Sequence, residues 1–299
     1  MILITGASGF VASHLIPRLR GDGRKLRCLV TTEAEGTRIK APGAEVAIGN
    51  VTDPTSLRAA MTGVDTVIHL VAVIRESKRN TFQAVNVEGT KNVVEAAKSA
   101  GVKRFIHMGA LGATPDPAYK YLNSKWQGME AVKNSGLDFS ILQPSVMFGE
   151  GAGFIASLLR SIKMAPFIVP IAGDGKTKLQ PIWIGDVVSC LLKLLAGEKR
   201  GETCQIGGPE IMTYDAMIDE ILRALGEKKS KIHVPRWLMR PGVAIMDALL
   251  SNPPVTMVEF KSMEIPNTTD PDATEKQFGF KPMLLRDGLG YLAVGRRKS

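Results

Sequence analysis

Two side chains near the middle of the chain have the types and spacing of an acid/base pair. Tyr121 and Lys125 lie four residues apart in a segment, 118–133, with helical periodicity, so both fall on one face of the predicted helix. A free tyrosine has a pKa of about 10, and a neighbouring ammonium lowers that pKa by favouring the phenolate. Tyr119 is a rival, but its fourth neighbour is the uncharged Asn123. We therefore expect Tyr121 to transfer protons and Lys125 to tune it.

A glycine-containing turn near the amino terminus has the pattern of a diphosphate-binding loop. Gly6 and Gly9 follow the apolar run Ile2–Thr5 and precede a segment of helical periodicity. Gly6 permits a tight turn, Gly9 lets the backbone approach a pyrophosphate, and Ala12 lets the helix pack on the sheet. The helix N-terminus adds unpaired N–H groups and partial positive charge. The alternative is a fold that keeps this loop without a ligand. The predicted dinucleotide contacts here are Gly6, Ser8, Gly9, Phe10 and Val11.

The end of the second predicted strand bears on the type of dinucleotide. An acidic residue there would hold the ribose hydroxyls of NAD. Thr31 stands at this point, and Glu33 comes one or two residues late. Arg38, Ser8 and the formal net charge of +9 would instead suit a 2′-phosphate. We expect Thr31 and Arg38 to lie at the adenosine ribose, with NADP as the preferred cofactor and NAD as the alternative.

The elements that must position these residues alternate regularly along the first half of the chain. Strands are predicted at 2–5, 25–30, 45–49, 65–70, 104–108 and 139–142, and helices at 11–19, 54–61, 82–100, 118–133, 155–162, 187–195 and 214–225. Buried Val/Ile/Leu strands that alternate with helices indicate an α/β, doubly wound parallel sheet, the Rossmann fold. The alternation ends after Pro144. We therefore predict a dinucleotide-binding core at 1–148 and a smaller C-terminal substrate lobe at 149–299, with about 176–206 returning to the core.

The loop Gly6–Ala12 and the Tyr121–Lys125 pair together resemble the short-chain dehydrogenase/reductase superfamily, in its extended, epimerase/dehydratase-like branch. Further segments resemble motifs of that superfamily in the same order: 49–53, 67–72, 86–93, 142–149 and 181–187. Residues 105–113 and 253–264 are similar to an atypical branch related to the nucleotide-binding accessory subunit of respiratory complex I. The resemblance covers nearly the whole chain.

This resemblance implies cofactor contacts along the carboxyl ends of several strands. It adds to the predicted binding set Asn50, Val51, Leu70, Val71, Ala72, Asn86, Met108, Gln143, Pro144, Ser145 and Val146. It also implies that Tyr121 and Lys125 touch the cofactor, Lys125 through the nicotinamide ribose. Asn50 replaces an Asp that usually contacts adenine, and Gln143 replaces an Arg. The superfamily's dimers suggest a homodimer through helices 82–100 and 118–133.

The hydroxyl donor that the superfamily carries at the end of the fifth strand is missing. The aligned residue is Gly109, followed by Ala110, although Thr114 could reach in from the loop. The loss of one such donor typically costs on the order of a hundredfold in rate. Two hypotheses therefore stand. The first is an NAD(P)-dependent oxidoreductase or epimerase/dehydratase-like enzyme that transfers hydride, and the second is a non-catalytic NAD(P)H-binding structural or redox-sensing protein.

Composition excludes several other classes of protein. The 299 residues are 44% hydrophobic and 22% charged, an ordinary globular balance. The three cysteines form neither a CxxC pair nor a disulfide framework, the four histidines lack metal-ligand spacing, and no targeting segment is visible, so we expect a metal-free cytoplasmic protein. The Lys and Arg residues are dispersed, which makes nucleic-acid binding unlikely. The apolar helical segment 237–250 predicts a lobe helix or dimer face; a protein or membrane-surface partner of this basic C-terminal lobe is the alternative.

Overall fold

The computed structural model describes residues 1–39, 43–164, 166–250 and 253–294. The strands are β1 (Ile2–Thr5), β2 (Leu26–Val30), β3 (Ala44–Ile48), β4 (Thr66–His69), β5 (Arg104–Met108), β6 (Phe139–Pro144), β7 (Met147–Phe148), β8 (Ile168–Ala172), β9 (Lys178–Leu179), β10 (Ile182–Trp183), β11 (Thr203–Ile206), β12 (Met212–Thr213) and β13 (Ser230–Val234). The helices are α1 (Phe10–Gly21), α2 (Glu33–Ile39), α3 (Pro54–Ala60), α4 (Gly89–Ser99), α5 (Lys120–Lys133), α6 (Gly153–Met164), α7 (Ile184–Leu195), α8 (Tyr214–Leu225), α9 (Arg236–Leu249), α10 (Met257–Ser262), α11 (Ala273–Phe278), α12 (Leu285–Gly288) and α13 (Gly290–Val294). A π-helical segment, Phe82–Glu88, runs directly into α4.

A seven-stranded parallel sheet forms the centre of the fold, with the order β3-β2-β1-β4-β5-β6-β11. Ile4 of β1 pairs with Cys28 on one side and with Ile68 on the other. Every residue of β1, β4 and β5 is buried, because the connecting helices cover both faces of the sheet. The order reverses between β1 and β4, where open α/β sheets bind ligands at the carboxyl ends of their strands. The predicted doubly wound α/β sheet is confirmed.

The chain divides into two compact units. The first comprises 1–143 and 187–204, and the second comprises 144–186 and the chain from 205 onward. The second unit contains small two-stranded sheets, which pair β7 with β10, β9 with β12, and β8 with β13. The sequence predicts a dinucleotide-binding core at 1–148 and a substrate lobe at 149–299, with about 176–206 returning to the core. These roles of the two units stay a prediction.

Two local features differ from the sequence-based expectation. The predicted helix over 82–100 starts as a π-helix, and α2 was not predicted at all. Tight packing accompanies the π-helix, since a Cβ at Gly128 would lie 2.9 Å from the carbonyl oxygen of Asn86. An apolar pattern of helical period does not distinguish π from α geometry, because both place similar residues on the buried face.

The three cysteines Cys28, Cys190 and Cys204 are free thiols and are buried. Burial raises the pKa of Cys28 and of Cys204 to about 11. Both thiols therefore stay protonated and unreactive near neutral pH.

Candidate functional site

The backbone after β4 packs so closely against the glycine loop that Gly6 has no room for a side chain. Gly6 has φ of +71°, and a Cβ there would lie 3.0 Å from the backbone nitrogen of Val71. The Gly9 amide donates to the Gly6 carbonyl at 3.0 Å, and Gly9 begins α1 in an extended conformation without a side-chain cap. The first amides of α1 therefore have no intrahelical acceptor and point out of the helix. This arrangement fits a diphosphate, which needs N–H donors and a close backbone approach.

An acidic side chain occupies the end of β2 beside this loop. The Glu35 carboxylate accepts hydrogen bonds from the amide and the hydroxyl of Thr31, both at 2.8 Å. Burial raises the pKa of Glu35, but hydrogen bonds from Thr31, Ser8 and Thr32 outweigh this effect and leave the pKa below its usual value. Glu35 is therefore charged at neutral pH. Arg38 lies exposed in the last turn of the same helix.

Glu35 was not among the predicted site residues, because α2 was not predicted. A signal was present, since a Thr followed three residues later by Glu marks a helix start. Thr32 does precede α2, and its hydroxyl accepts a hydrogen bond from the Glu35 amide at 3.2 Å.

Asn50 and Val51 lie in the turn after β3. The Asn50 side-chain oxygen accepts from the Thr52 amide at 3.1 Å, while the Val51 carbonyl accepts from the Asn92 side chain at 3.0 Å. Val51 itself is buried against Gly89, where a Cβ would approach its side chain to 2.7 Å. In this structure Val51 joins the turn to α4, and the half-buried Asn50 is the more accessible of the two.

Asn86 connects the loop after β4 to helix α5. Its side-chain oxygen accepts from the Val73 amide at 2.8 Å, and its nitrogen donates to the Val73 carbonyl at 3.0 Å and to the Ser124 hydroxyl at 2.9 Å. Asn86 therefore holds the segment Leu70, Val71 and Ala72 in place with polar atoms that already have partners. Leu70 is further fixed by its amide, which donates to the Thr5 carbonyl at 3.2 Å.

The structure places Lys125 and Tyr121 near the carboxyl end of β5. Lys125 is buried, and its ammonium donates to the Met108 carbonyl at 2.7 Å. Burial lowers the pKa of Lys125 to about 8. The Tyr121 ring packs on Phe82 with centroids 5.8 Å apart, and burial raises the pKa of its phenol to about 12. This direction is opposite to the lowering expected from Lys125, whose ammonium is bonded to the strand.

Two buried histidines share the electrostatic environment of Lys125. His69 has hydrogen-bond partners for both ring nitrogens, the hydroxyls of Thr5 at 2.6 Å and Thr90 at 3.1 Å. The His107 ring stacks on it at 5.2 Å, and neither His107 nitrogen has a partner among the described residues. Burial and the Lys125 charge lower the pKa of His69 to about 3 and that of His107 well below its usual value. Both rings are therefore neutral. The described ranges contain no cluster of three or more metal-ligating side chains.

The position of the missing hydroxyl donor is closed by packing. A Cβ at Gly109 would lie 2.7 Å from the Met129 sulfur and 3.0 Å from Cγ of Gln143. The Gln143 side chain donates to the Ala110 carbonyl at 3.1 Å. Thr114 is half-buried, and its hydroxyl accepts from the Asp116 amide at 3.3 Å, within a turn.

The remaining predicted contacts, Pro144, Ser145 and Val146, belong to the second unit. The Ser145 hydroxyl donates to the Gln180 carbonyl, and the Val146 amide donates to the Asn267 side chain at 2.7 Å. Their polar groups are thus engaged within that unit.

Comparison with known proteins agrees with this architecture. The model of the NAD dependent epimerase/dehydratase family matches residues 2–207. The chain belongs to this family of NAD(P)-binding proteins, an extended branch of the short-chain dehydrogenase/reductase superfamily.

Relatives in the family include proteins of different kinds. The chain is 24% identical over 262 residues to NADH dehydrogenase (ubiquinone) 1 alpha subcomplex subunit 9, mitochondrial, of Arabidopsis thaliana. The matched region is 84% of this chain but only 64% of that protein. It is 26% identical to a ceramide reductase of Caulobacter vibrioides, over 90% of this chain and 84% of that one. The structure of an NADPH-dependent quinone oxidoreductase of Escherichia coli complexed with NADPH superimposes with a TM-score of 0.79 at 18% identity, covering 98% and 99% of the two chains. At this identity the superposition shows a shared fold.

Proposed function

We propose that the chain is an NAD(P)-dependent oxidoreductase or epimerase/dehydratase-like enzyme with Tyr121 as its acid/base. The observation that carries this proposal is the buried ammonium of Lys125, held against the end of β5 four residues from Tyr121 on the same helix. An isolated buried charge is unfavourable, so its retention needs a reason. A functional role of Lys125 beside the Tyr121 phenol and a ribose hydroxyl of the cofactor would be such a reason.

The bound nicotinamide would supply or accept the hydride. The backbone of Gly6–Val11 would hold the diphosphate, and the Leu70–Ala72 segment, fixed by Asn86, would shape the neighbouring wall of the pocket. The Lys125 ammonium has three donors, of which Met108 takes one, so others can point towards Tyr121 or a ribose hydroxyl. Tyr121 would donate a proton to the substrate oxygen in reduction and accept it in oxidation.

For the cofactor we propose a preference for NAD(H). The sequence favours NADP through Arg38, Ser8 and the positive net charge, but the Glu35 carboxylate bonds to Thr31 and Ser8. A carboxylate at the end of β2 accepts hydrogen bonds from ribose hydroxyls and repels a 2′-phosphate. NADP(H) would bind well only if Arg38 outweighed this repulsion.

The decisive experiment compares Tyr121→Phe with Tyr119→Phe. Wild-type protein is mixed with NADH or NADPH and a panel of quinones, lipid ketones and nucleotide sugars, the classes that the relatives suggest. Oxidation of reduced nicotinamide by quinones and ketones is followed by its absorbance, redox-neutral conversion of the nucleotide sugars with NAD present by chromatography, and binding by nicotinamide fluorescence. We expect Tyr121→Phe to lose about 10²- to 10⁴-fold in rate with unchanged binding, and Tyr119→Phe to behave as wild type. Full turnover in Tyr121→Phe would contradict the assignment.

A second candidate function is favoured by the packing around Gly109. Because Met129 and Gln143 fill the space of the usual donor, the fold could bind a dinucleotide without turning it over. Such a structural or redox-sensing protein would bind NAD(H) tightly, oxidise no reduced nicotinamide with the panel and convert none of its nucleotide sugars.

A further inference from the structure

Helix α9 in the second unit is apolar on its solvent-facing side. Of its side chains, Val243 is buried, whereas Trp237, Ile245 and Leu249 are 75%, 59% and 78% exposed. Helical spacing puts six residues on this exposed stripe: Trp237, Pro241, Ala244, Ile245, Ala248 and Leu249. None of them is charged. A surface helix of a globular protein normally has the opposite arrangement, with its apolar stripe facing the core.

The two-stranded sheet that precedes α9 along the chain also exposes apolar side chains. Ile168 and Ile232 are exposed, as is Phe167, which is 79% exposed and precedes β8. Ile232 pairs with Pro170, and because paired residues and residues two apart share a face, Ile168 and Ile232 lie on the same face. β13 leads through Pro235 directly into α9. We call Phe167, Ile168, Ile232, Trp237, Leu238, Ile245, Leu249 and Leu250 the α9 patch.

Two exposed cations lie beside the α9 patch. Arg240 is exposed on the flank of the stripe, and Lys228 is exposed two residues before Ser230, whose amide donates to the Phe167 carbonyl at 3.0 Å. The acidic residue of α9, Asp247, is turned away from the stripe and accepts from the Met257 amide at 2.9 Å. An apolar stripe with an exposed tryptophan and a cationic rim is the pattern of helices that lie in a bilayer interface.

We propose that the α9 patch docks on the surface of an anionic phospholipid bilayer, with α9 lying in the plane of the interface. A helix of this length extends about 21 Å, and no helix in the described ranges is long and apolar enough to cross a membrane. A second copy of the chain is the less favourable occupant, because a two-fold contact would bring the same cations towards each other. Anionic headgroups complement Arg240 and Lys228, while the acyl boundary takes up Trp237, Ile245 and Leu249.

The test is co-sedimentation of the full chain with vesicles of phosphatidylcholine alone or with added phosphatidylglycerol. We expect binding to be about tenfold tighter with the anionic lipid and to weaken as salt is raised. The double variant Ile245→Glu/Leu249→Glu should lose at least about tenfold in vesicle affinity. The control is Ile211→Glu, since Ile211 is also exposed and lies in the second unit outside the α9 patch.

The control should bind vesicles as wild type does. Both variants should keep the wild-type unfolding transition and the affinity for NADH, which separates this test from that of the proposed function. The proposal is overturned if wild type binds neither vesicle, or if the double variant and Ile211→Glu lose binding equally. It is also overturned if wild type forms a dimer in solution that the double variant dissociates while no vesicle is bound.

Discussion

Two glycines of the first unit, Gly6 and Gly109, are packed against neighbours of different kinds, backbone at Gly6 and side chains at Gly109. At Gly6 a Cβ would lie 3.0 Å from the backbone nitrogen of Val71, so a side chain there would have to displace backbone. At Gly109 the missing side chain has been replaced by neighbours, since the Met129 sulfur and Gln143 occupy the space. The loop proposed to hold a dinucleotide thus keeps its glycine for a backbone contact, whereas the position at which the superfamily carries a hydroxyl donor is filled by side chains. Family membership therefore says more about dinucleotide binding than about turnover.

The largest effect is expected from Gly6→Ala. Both Gly6 and Gly23 have positive φ, so alanine at either costs about 1–2 kcal/mol of backbone strain. Only at Gly6 does the added Cβ also meet backbone, which adds about 1–3 kcal/mol and displaces the loop. Nicotinamide fluorescence titration should show a loss of affinity of about tenfold to hundredfold for Gly6→Ala. Gly23→Ala, with open space around it, should bind as wild type; equal losses in both would mean that the loop is not the binding surface.

The next largest effect is a pH dependence of the free energy of unfolding that is caused by Lys125. Its pKa is about 8 in the native state against 10.5 for an ordinary lysine. Between these values the unfolded chain holds a proton that the native state has released, so the free energy of unfolding rises with pH from about 8 to about 10.5. Below about pH 8 the native state carries the full cost of the buried charge, on the order of 3 kcal/mol.

Urea unfolding at pH 7.5 and at higher pH measures this dependence. Lys125→Met should remove the rise in the free energy of unfolding above pH 8. Lys120→Met, which alters an exposed lysine of the same helix, should retain it. A rise of the same size in Lys125→Met would show that other groups cause it.

Gly109→Ser tests whether the packing around Gly109 can accept the missing hydroxyl donor. The serine restores the missing hydroxyl, but its Cβ must displace Met129 or Gln143, so we expect a loss of about 1–3 kcal/mol in the free energy of unfolding and no gain in turnover. Gly21→Ser is the matched control, because Gly21 has open space around it and no positive φ. A stable Gly109→Ser variant with faster turnover would show that the site accepts the donor.

The smallest effect is expected from Glu35→Gln. The amide keeps the approximate shape of the carboxylate but removes its charge, so the ratio of the NADPH to the NADH dissociation constant should fall about tenfold. Glu33→Gln, on the exposed first turn of α2, should leave this ratio unchanged. If wild type already prefers NADPH and Arg38→Ala abolishes that preference, Arg38 and not Glu35 sets the choice.

The first six strands of the parallel sheet, the helices between them other than α2, and the glycine loop were predictable because they are local. The strand Ile2–Thr5 and the segment after it carry their own periodicity. Gly6 indicates a turn with positive φ, a conformation that other residues rarely adopt. The pair Tyr121 and Lys125 was likewise predictable, since four residues make one helical turn. The pKa of Tyr121 was not, because it depends on burial and on Met108, which lies on another element and holds the ammonium.

What the amino-acid order determined is therefore the parallel sheet, its dinucleotide loop and the spacing of Tyr121 and Lys125. Only the tertiary structure decided that the Glu35 carboxylate bonds to Ser8 of the glycine loop, that Asn86 uses its polar atoms to hold Val73, and that Gly109 is filled by its neighbours. It also decided that the apolar stripe of α9 faces outward. The physical reason is that periodicity reports which residues share a face, whereas burial and hydrogen-bond partners depend on the elements that pack against that face.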